Sequence, residues 1–198
     1  MSDCMTTELS ADTRARILEA AWELARTGGT PAASVKEVAA EAKVSRQLVY
    51  FHYEHRAGLL LAMARHHDHD SGFVDRVIAT RELPPRDSLH SLVREWCAYI
   101  PDILPVARAL EAAMITGDEG SGAWRDRMDD LWHALRLPLE RIAADDGLAA
   151  GWTVDRATDW IWAQVQPANY EYLVAVRGWS MARFTEHATR SAAQVLIA

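Results

Sequence analysis

Apolar residues recur at three- and four-residue intervals along most of the 198-residue chain. No strict apolar–polar alternation persists, so the pattern predicts helices and no sheet. A first helix is expected over 11–27, with Ile17, Leu18, Ala21, Trp22, Leu24 and Ala25 on one face and Gly28-Gly29 and Pro31 as its stop. Ser34-Val35-Lys36-Glu37 has the Ser-x-x-Glu spacing of a capping box and opens a second helix. Ser45 caps a third at about 46–51, with Val44 and Val49 at staple spacing around it. A long helix is expected over 56–80, broken by Glu82-Leu83-Pro84-Pro85. Further helices are expected at 86–100, 102–116, 121–146, 153–166, 168–177 and 180–197, with Pro101, Pro105, the glycines at 117–122 and 147–151, Pro167 and Gly178 as punctuation.

Two short capped helices separated by Ala42-Lys43-Val44 make a helix-turn-helix. A recognition helix must present hydrogen-bonding side chains to a major groove. The third helix offers Arg46, whose fork suits guanine O6 and N7, and Gln47, whose amide suits adenine N6 and N7. Leu48 offers contact to a thymine methyl, and Val49 points inward. Tyr50 and His52 carry polar tips that reach for phosphates. Ser34 and Ser45 place helix amides where phosphates dock, and Lys36 and Lys43 add charge beside them. Pattern alone also fits a generic pair of helices on a bundle surface.

Residues 13–63 resemble the DNA-binding head of TetR-family regulators. The resemblance rests on an ordered set: Thr13-Arg14-x-x-Ile17-Leu18-x-Ala20-Ala21, Gly28-Gly29, Ser34-Val35, Val38-Ala39, Val44-Ser45, Tyr50-Phe51-His52-Tyr53, Arg56 and Leu59-Leu60. Arg177-Gly178-Trp179-Ser180 before a last amphipathic helix adds to it. It implies an all-α fold, with a helix-turn-helix DNA-binding domain at 1–56 joined by helix 56–80 to a larger ligand-binding and dimerisation domain within 57–198. It further implies that Arg46, Gln47 and Leu48 face base edges, that Ser34, Ser45, Tyr50, His52 and Arg56 hold the backbone, and that a homodimer straddles a pseudo-palindromic operator in double-stranded DNA. Two positions depart from the family pattern. Lys43 stands where Gly is common in the turn, and His55 stands where a small polar cap usually precedes Arg56.

The second domain holds seven of the eight tryptophans. Trp124, Met128, Leu131, Leu135 and Leu139 share one helical stripe with Trp132 beside it. Trp96 and Tyr99 precede them, and Trp162, Gln166 and Asn169 form another stripe. One reading is a core filled by large side chains. The other is an effector pocket lined by Trp96, Tyr99, Met114, Trp124, Met128, Trp132 and Trp162, with Gln166, Asn169 and Tyr170 as polar pins. Met181, Phe184, Ala188, Ser191 and Val195 stripe the last helix, to be buried in the core or paired with a second subunit.

Charge and composition adjust this picture little. The net charge of −7 looks wrong for a DNA binder. However, residues 1–56 hold seven Lys/Arg against eight Asp/Glu, and 57–198 hold fourteen against twenty, so the acidity sits mainly outside the head. Cys4 and Cys97 have no paired spacing, which excludes a disulfide framework or four-cysteine zinc site and fits a reducing cytoplasm. No apolar run is long enough to span a membrane, and no signal-peptide pattern opens the chain. No paired carboxylates, nucleophile elbow or phosphate loop suggest an enzyme, and no cofactor motif is present. His66-His67-Asp68-His69-Asp70 leaves two options, ligands converging on a metal or a solvated helix face with His67 turned inward; the expectation is no metal.

Overall fold

The computed structural model describes residues 2–27, 34–116, 121–145 and 147–198. The chain is all-α: no strand occurs among the described residues, apart from an isolated bridge between Leu148 and Ile197. The helices are α1 (Ser2–Thr27), α2 (Val35–Glu41), α3 (Arg46–Tyr53), α4 (Arg56–Asp70), α5 (Phe73–Ala79), α6 (Pro85–Thr116), α7 (Ser121–Ala144), α8 (Val154–Gln164), α9 (Pro167–Tyr170) and α10 (Met181–Leu196). Gly28-Gly29, Pro31, Gly117 and Gly120, read above as helix stops, lie outside the described residues.

Several boundaries differ from the sequence pattern, each for a local reason. The expected 56–80 helix breaks after Asp70, where Gly72 adopts φ +69°. The Ser71 hydroxyl donates to the Asp68 carbonyl at 3.2 Å and helps satisfy the carbonyls left at the break. The expected pair 86–100 and 102–116 is one helix, α6, despite Pro101 and Pro105. A mid-helix proline costs ~3 kcal/mol. Here Ile100, Ile103, Val106, Ala107 and Leu110 around the two prolines are all 5% exposed or less. Burying such side chains contributes about 1.5–3 kcal/mol for each large one, which outweighs the proline cost. The expected 168–177 helix is instead a single α turn, with Pro167 in its first turn, running into a π-helical turn at Glu171–Val176. None of those six side chains is buried, so packing does not enforce the α register there. α3 runs on to Tyr53, two residues past the expected end.

The chain divides into two compact units, residues 1–71 with 103–127 and residues 72–102 with 128–198. In the first, α1 packs on α2 and α4, and α3 packs on α2 and α4. Ile17, Val38, Val49, Leu59 and Met63 close its core at 1% exposure or less. A buried ion pair ties α4 to α7, with Arg127 Nη2 3.0 Å from the Asp68 carboxylate and both side chains under 10% exposed. In the second unit, Trp96, Ile100, Leu135, Leu139, Ile161 and Leu196 are fully buried. Phe73 stacks on Tyr99 with ring centroids 4.1 Å apart. Arg141 donates to the Arg81 and Leu83 carbonyls at 2.9 and 2.8 Å, fixing the turn after α5.

Candidate nucleic-acid interface and effector region

The turn between α2 and α3 is built by backbone chemistry. The Ser34 side chain accepts from the Glu37 amide, and the Glu37 carboxylate accepts from the Ser34 amide at 2.8 Å, completing the capping box. These bonds, the backbone one foremost, hold the Glu37 carboxyl below its ordinary pKa. At the other end of α2 the Val44 amide donates to the Ala39 carbonyl at 2.9 Å and the Lys43 amide to the Ala40 carbonyl at 3.2 Å. That is a Schellman closure, which requires a left-handed residue at its penultimate position. Lys43 fills it at φ +56°. Ser45 then caps α3, accepting from the Leu48 amide at 3.1 Å.

On α3, Val49 faces the core at 1% exposure. At 100° per residue, Gln47 and Phe51 fall opposite Val49, with Tyr50 at the side, while Arg46 lies about 60° from Val49 in the first turn; all four are exposed. Leu48 is half-buried at the other side. Phe51, at 79% exposed, was not singled out by sequence reasoning as a contact. Its signal was available: a large apolar residue two places after an inward-facing one belongs on the outer face. Ser34, Lys36, Lys43 and Ser45 are also exposed.

His52 is half-buried, and its Nδ1 accepts from Arg14 Nε of α1 at 3.3 Å. The proton of the neutral ring therefore sits on Nε2, which is left as a donor. Burial first, and the Arg14 charge second, hold the His52 pKa below its ordinary 6.5. Tyr53 donates its hydroxyl to the Arg14 carbonyl at 3.5 Å. Arg14, part of the matched opening but given no role from sequence, thus positions the end of α3. His55 replaces the usual small cap effectively, since its Nδ1 accepts from the Gly58 amide at 2.9 Å and starts α4. Gly58 is required there, because an added Cβ would lie 2.6 Å from the Tyr53 carbonyl oxygen. Arg56 is half-buried in the first turn of α4.

The aromatic set read from the sequence is spread over both units. Met114 and Trp124 lie in the first, and the rest in the second. Trp96 is fully buried and donates Nε1–H to the Val165 carbonyl at 2.8 Å; Tyr99 is buried beside it. Trp162 donates to the carbonyl of buried Met128 at 2.9 Å, and Gln166 donates to the Trp162 carbonyl at 3.0 Å. Trp132 donates to Asp159 at 2.8 Å under the Arg136 guanidinium. Exposed Asn169 donates to the Ala163 carbonyl at 2.7 Å and closes the end of α8. Tyr170 is buried edge-on to Phe184. Met114 is 42% exposed and Trp124 is buried. The structure thus gathers Met128, Trp162 and Gln166, and separately Trp96 and Tyr99. A cavity of the second unit, about 480 Å³, is lined by other residues, among them Val77, Ser88, Leu92 and Leu137.

His66 Nε2 lies 3.1 Å from the Asp70 carboxylate without forming a hydrogen bond, and His67 stacks on Trp22 with centroids 3.5 Å apart. Among the described residues no three His, Cys, Asp or Glu side chains converge as a metal site. No helix among them is long and apolar enough to cross a membrane.

A capped, Schellman-closed helix pair whose second helix is exposed along one side is a helix-turn-helix. Residues 17–63 match the family described as bacterial regulatory proteins, tetR family. Over that segment the chain carries a tetR-family head, and its all-α fold is shared with solved structures of such regulators. A TetR-family transcriptional regulator from Rhodococcus sp. superposes with a TM-score of 0.74 at 19% identity, covering 94% of this chain and 99% of that one. A transcriptional regulator from Saccharomonospora viridis, solved in complex with choline, gives 0.74 at 18% identity, covering 95% and 99%. NalD, the secondary repressor of the MexAB-OprM multidrug efflux pump in Pseudomonas aeruginosa, gives 0.67 at 21% identity, covering 95% and 97%. No curated protein sequence matches the chain.

Proposed function

We propose that the protein is a sequence-specific repressor that binds a pseudo-palindromic operator as a homodimer and is released by a small-molecule effector in its helical C-terminal domain. The observation that carries the DNA-binding part is the exposed surface of α3, with Gln47, Tyr50 and Phe51 turned away from a Val49-anchored core and Arg46 exposed in its first turn. Arg46 and Gln47 read base edges, with Leu48 touching a thymine methyl from the edge of that surface. Phe51 joins them as an apolar contact. Ser34, Lys36, Lys43, Ser45, Tyr50, His52 and Arg56 hold phosphates, with residues 1–56 as the reading head.

Exposed Tyr172, Val176, Met181 and Val195, in and around the last helices, support a two-fold contact between copies. The repressor named NalD and the choline-bound neighbour support repression and a small-molecule effector for this fold. The effector acts by differential affinity for two spacings of the paired heads, only one of which fits both half-sites.

Selection from a random duplex library tests the reading. The expected result is a two-fold-related consensus, bound with a steep salt dependence. Enrichment of no sequence over the starting library would refute it. Light scattering on the free protein should give the mass of two chains.

A further inference from the structure

The 480 Å³ cavity in the second unit has a definite chemistry. Its walls come from α5 and the turn after it, the start of α6 and the last half of α7. Val77, Leu92, Ala134, Leu137, Pro138 and Ala144 make them mostly apolar. At about 480 Å³ it falls in the range of small-molecule sites, roughly 300–1,000 Å³.

Two hydroxyls line it, and both residues are buried: Thr80 at 4% and Ser88 at 2% exposure. The Thr80 hydroxyl donates to the Val77 carbonyl at 2.7 Å, so its oxygen is left as an acceptor. The Ser88 hydroxyl has no hydrogen-bond partner among the described residues. A hydroxyl on a cavity wall that is not spent within the chain is available to bond a ligand group.

The charged lining residues are already committed or face solvent. The Arg141 guanidinium donates to two main-chain carbonyls, and Glu140 accepts from Arg136 at 2.8 Å. Arg81 and Glu140 are exposed. A ligand charge placed inside would lose water and find no buried counter-charge.

We propose that this cavity is the effector site and that it takes an uncharged, largely apolar molecule bearing one hydrogen-bond donor, which the Ser88 and Thr80 oxygens accept. The inference rests on the effector-released reading given above. It shifts the site from the aromatic set, whose indole N–H groups at Trp96, Trp132 and Trp162 are internally bonded, to a cavity with open acceptors.

A matched pair of fluorescent probes tests it on the full chain. N-phenyl-1-naphthylamine is neutral with a single N–H; 1-anilinonaphthalene-8-sulfonate has the same skeleton with a fixed negative charge. The neutral probe should bind saturably, one per chain, and at least tenfold more tightly than the sulfonate. Ala134→Trp, which fills the cavity, should weaken it at least tenfold. Ser88→Ala should weaken it about fivefold, the worth of one hydrogen bond. Val77→Trp, from the facing wall, serves the same purpose should Ala134→Trp lose its helical circular dichroism. No saturable binding of the neutral probe, equal or tighter binding of the sulfonate, or binding unchanged in folded wall variants would each overturn the proposal. The DNA selection uses no ligand, so its failure would strike the repressor reading and leave this result standing.

Discussion

Replacing Lys43 with glycine separates the two roles that the turn residue holds. Lys43 sits at φ +56° to complete the Schellman closure of α2. A residue with a Cβ pays about 1–2 kcal/mol for that conformation. Glycine pays none, but its freer unfolded chain gives back ~0.5–1 kcal/mol. Lys43→Gly should therefore stabilise the protein by about 0.5–1 kcal/mol. For a chain of this size that raises the melting midpoint by roughly 1–4 °C. The same change removes an exposed ammonium beside the recognition helix. Each lost phosphate contact reduces the slope of log K against log salt by about 0.9, so two heads should lose ~1.8. The assays are a thermal melt of the free protein and an anisotropy titration against the selected operator at several salt concentrations. A fall in the midpoint would refute the strain argument. An unchanged salt slope would refute the phosphate role.

Three further outcomes follow from the same geometry. Arg46→Ala should relax preference at one base pair of each half-site by about 1–3 kcal/mol, read by competition among single-base operator variants; equal weakening on all sequences would reassign Arg46 to the phosphates. Asp68→Ala leaves the Arg127 guanidinium buried at 5% exposure without its carboxylate. It should cost ~3–5 kcal/mol in urea unfolding, and a loss under 1 kcal/mol would show that the pair is not desolvated. His52 has a folded pKa below its ordinary 6.5, so below that value the unfolded chain binds the proton more tightly. The neutral ring's contribution is thus complete above about pH 6.5 and fades as pH falls through the ordinary value. Unfolding free energies between pH 7.5 and 5.5 should decline less steeply in His52→Gln, and identical slopes would contradict the assignment.

The reading head was legible because its chemistry is local. Ser34 and Glu37 are three residues apart, as are Ser45 and Leu48, and each cap is satisfied within its own turn. The helical character of the rest was legible too, since periodicity reports which face is buried: Trp124, Met128, Leu131, Leu135 and Leu139 are all 5% exposed or less. Where elements end was less legible. Proline carries a local penalty visible in sequence, but burial around Pro101 and Pro105 is a tertiary quantity, and it kept α6 whole.

Long-range pairing was hidden for the same reason. Arg14 reaches His52 across 38 residues, and Asp68 meets Arg127 across 59. Tryptophan spacing could not show which indole N–H groups would be spent on carbonyls such as that of Val165. Nor could it show that a cavity would open beside Ser88. By itself the sequence determined an all-α chain with a capped helix-turn-helix and named the side chains on its third helix. Tertiary structure decided which of those side chains face outward, which polar groups remain unpaired and where space is left. Caps and periodicity depend on neighbours a turn away, whereas exposure and voids depend on segments that meet only when the chain packs.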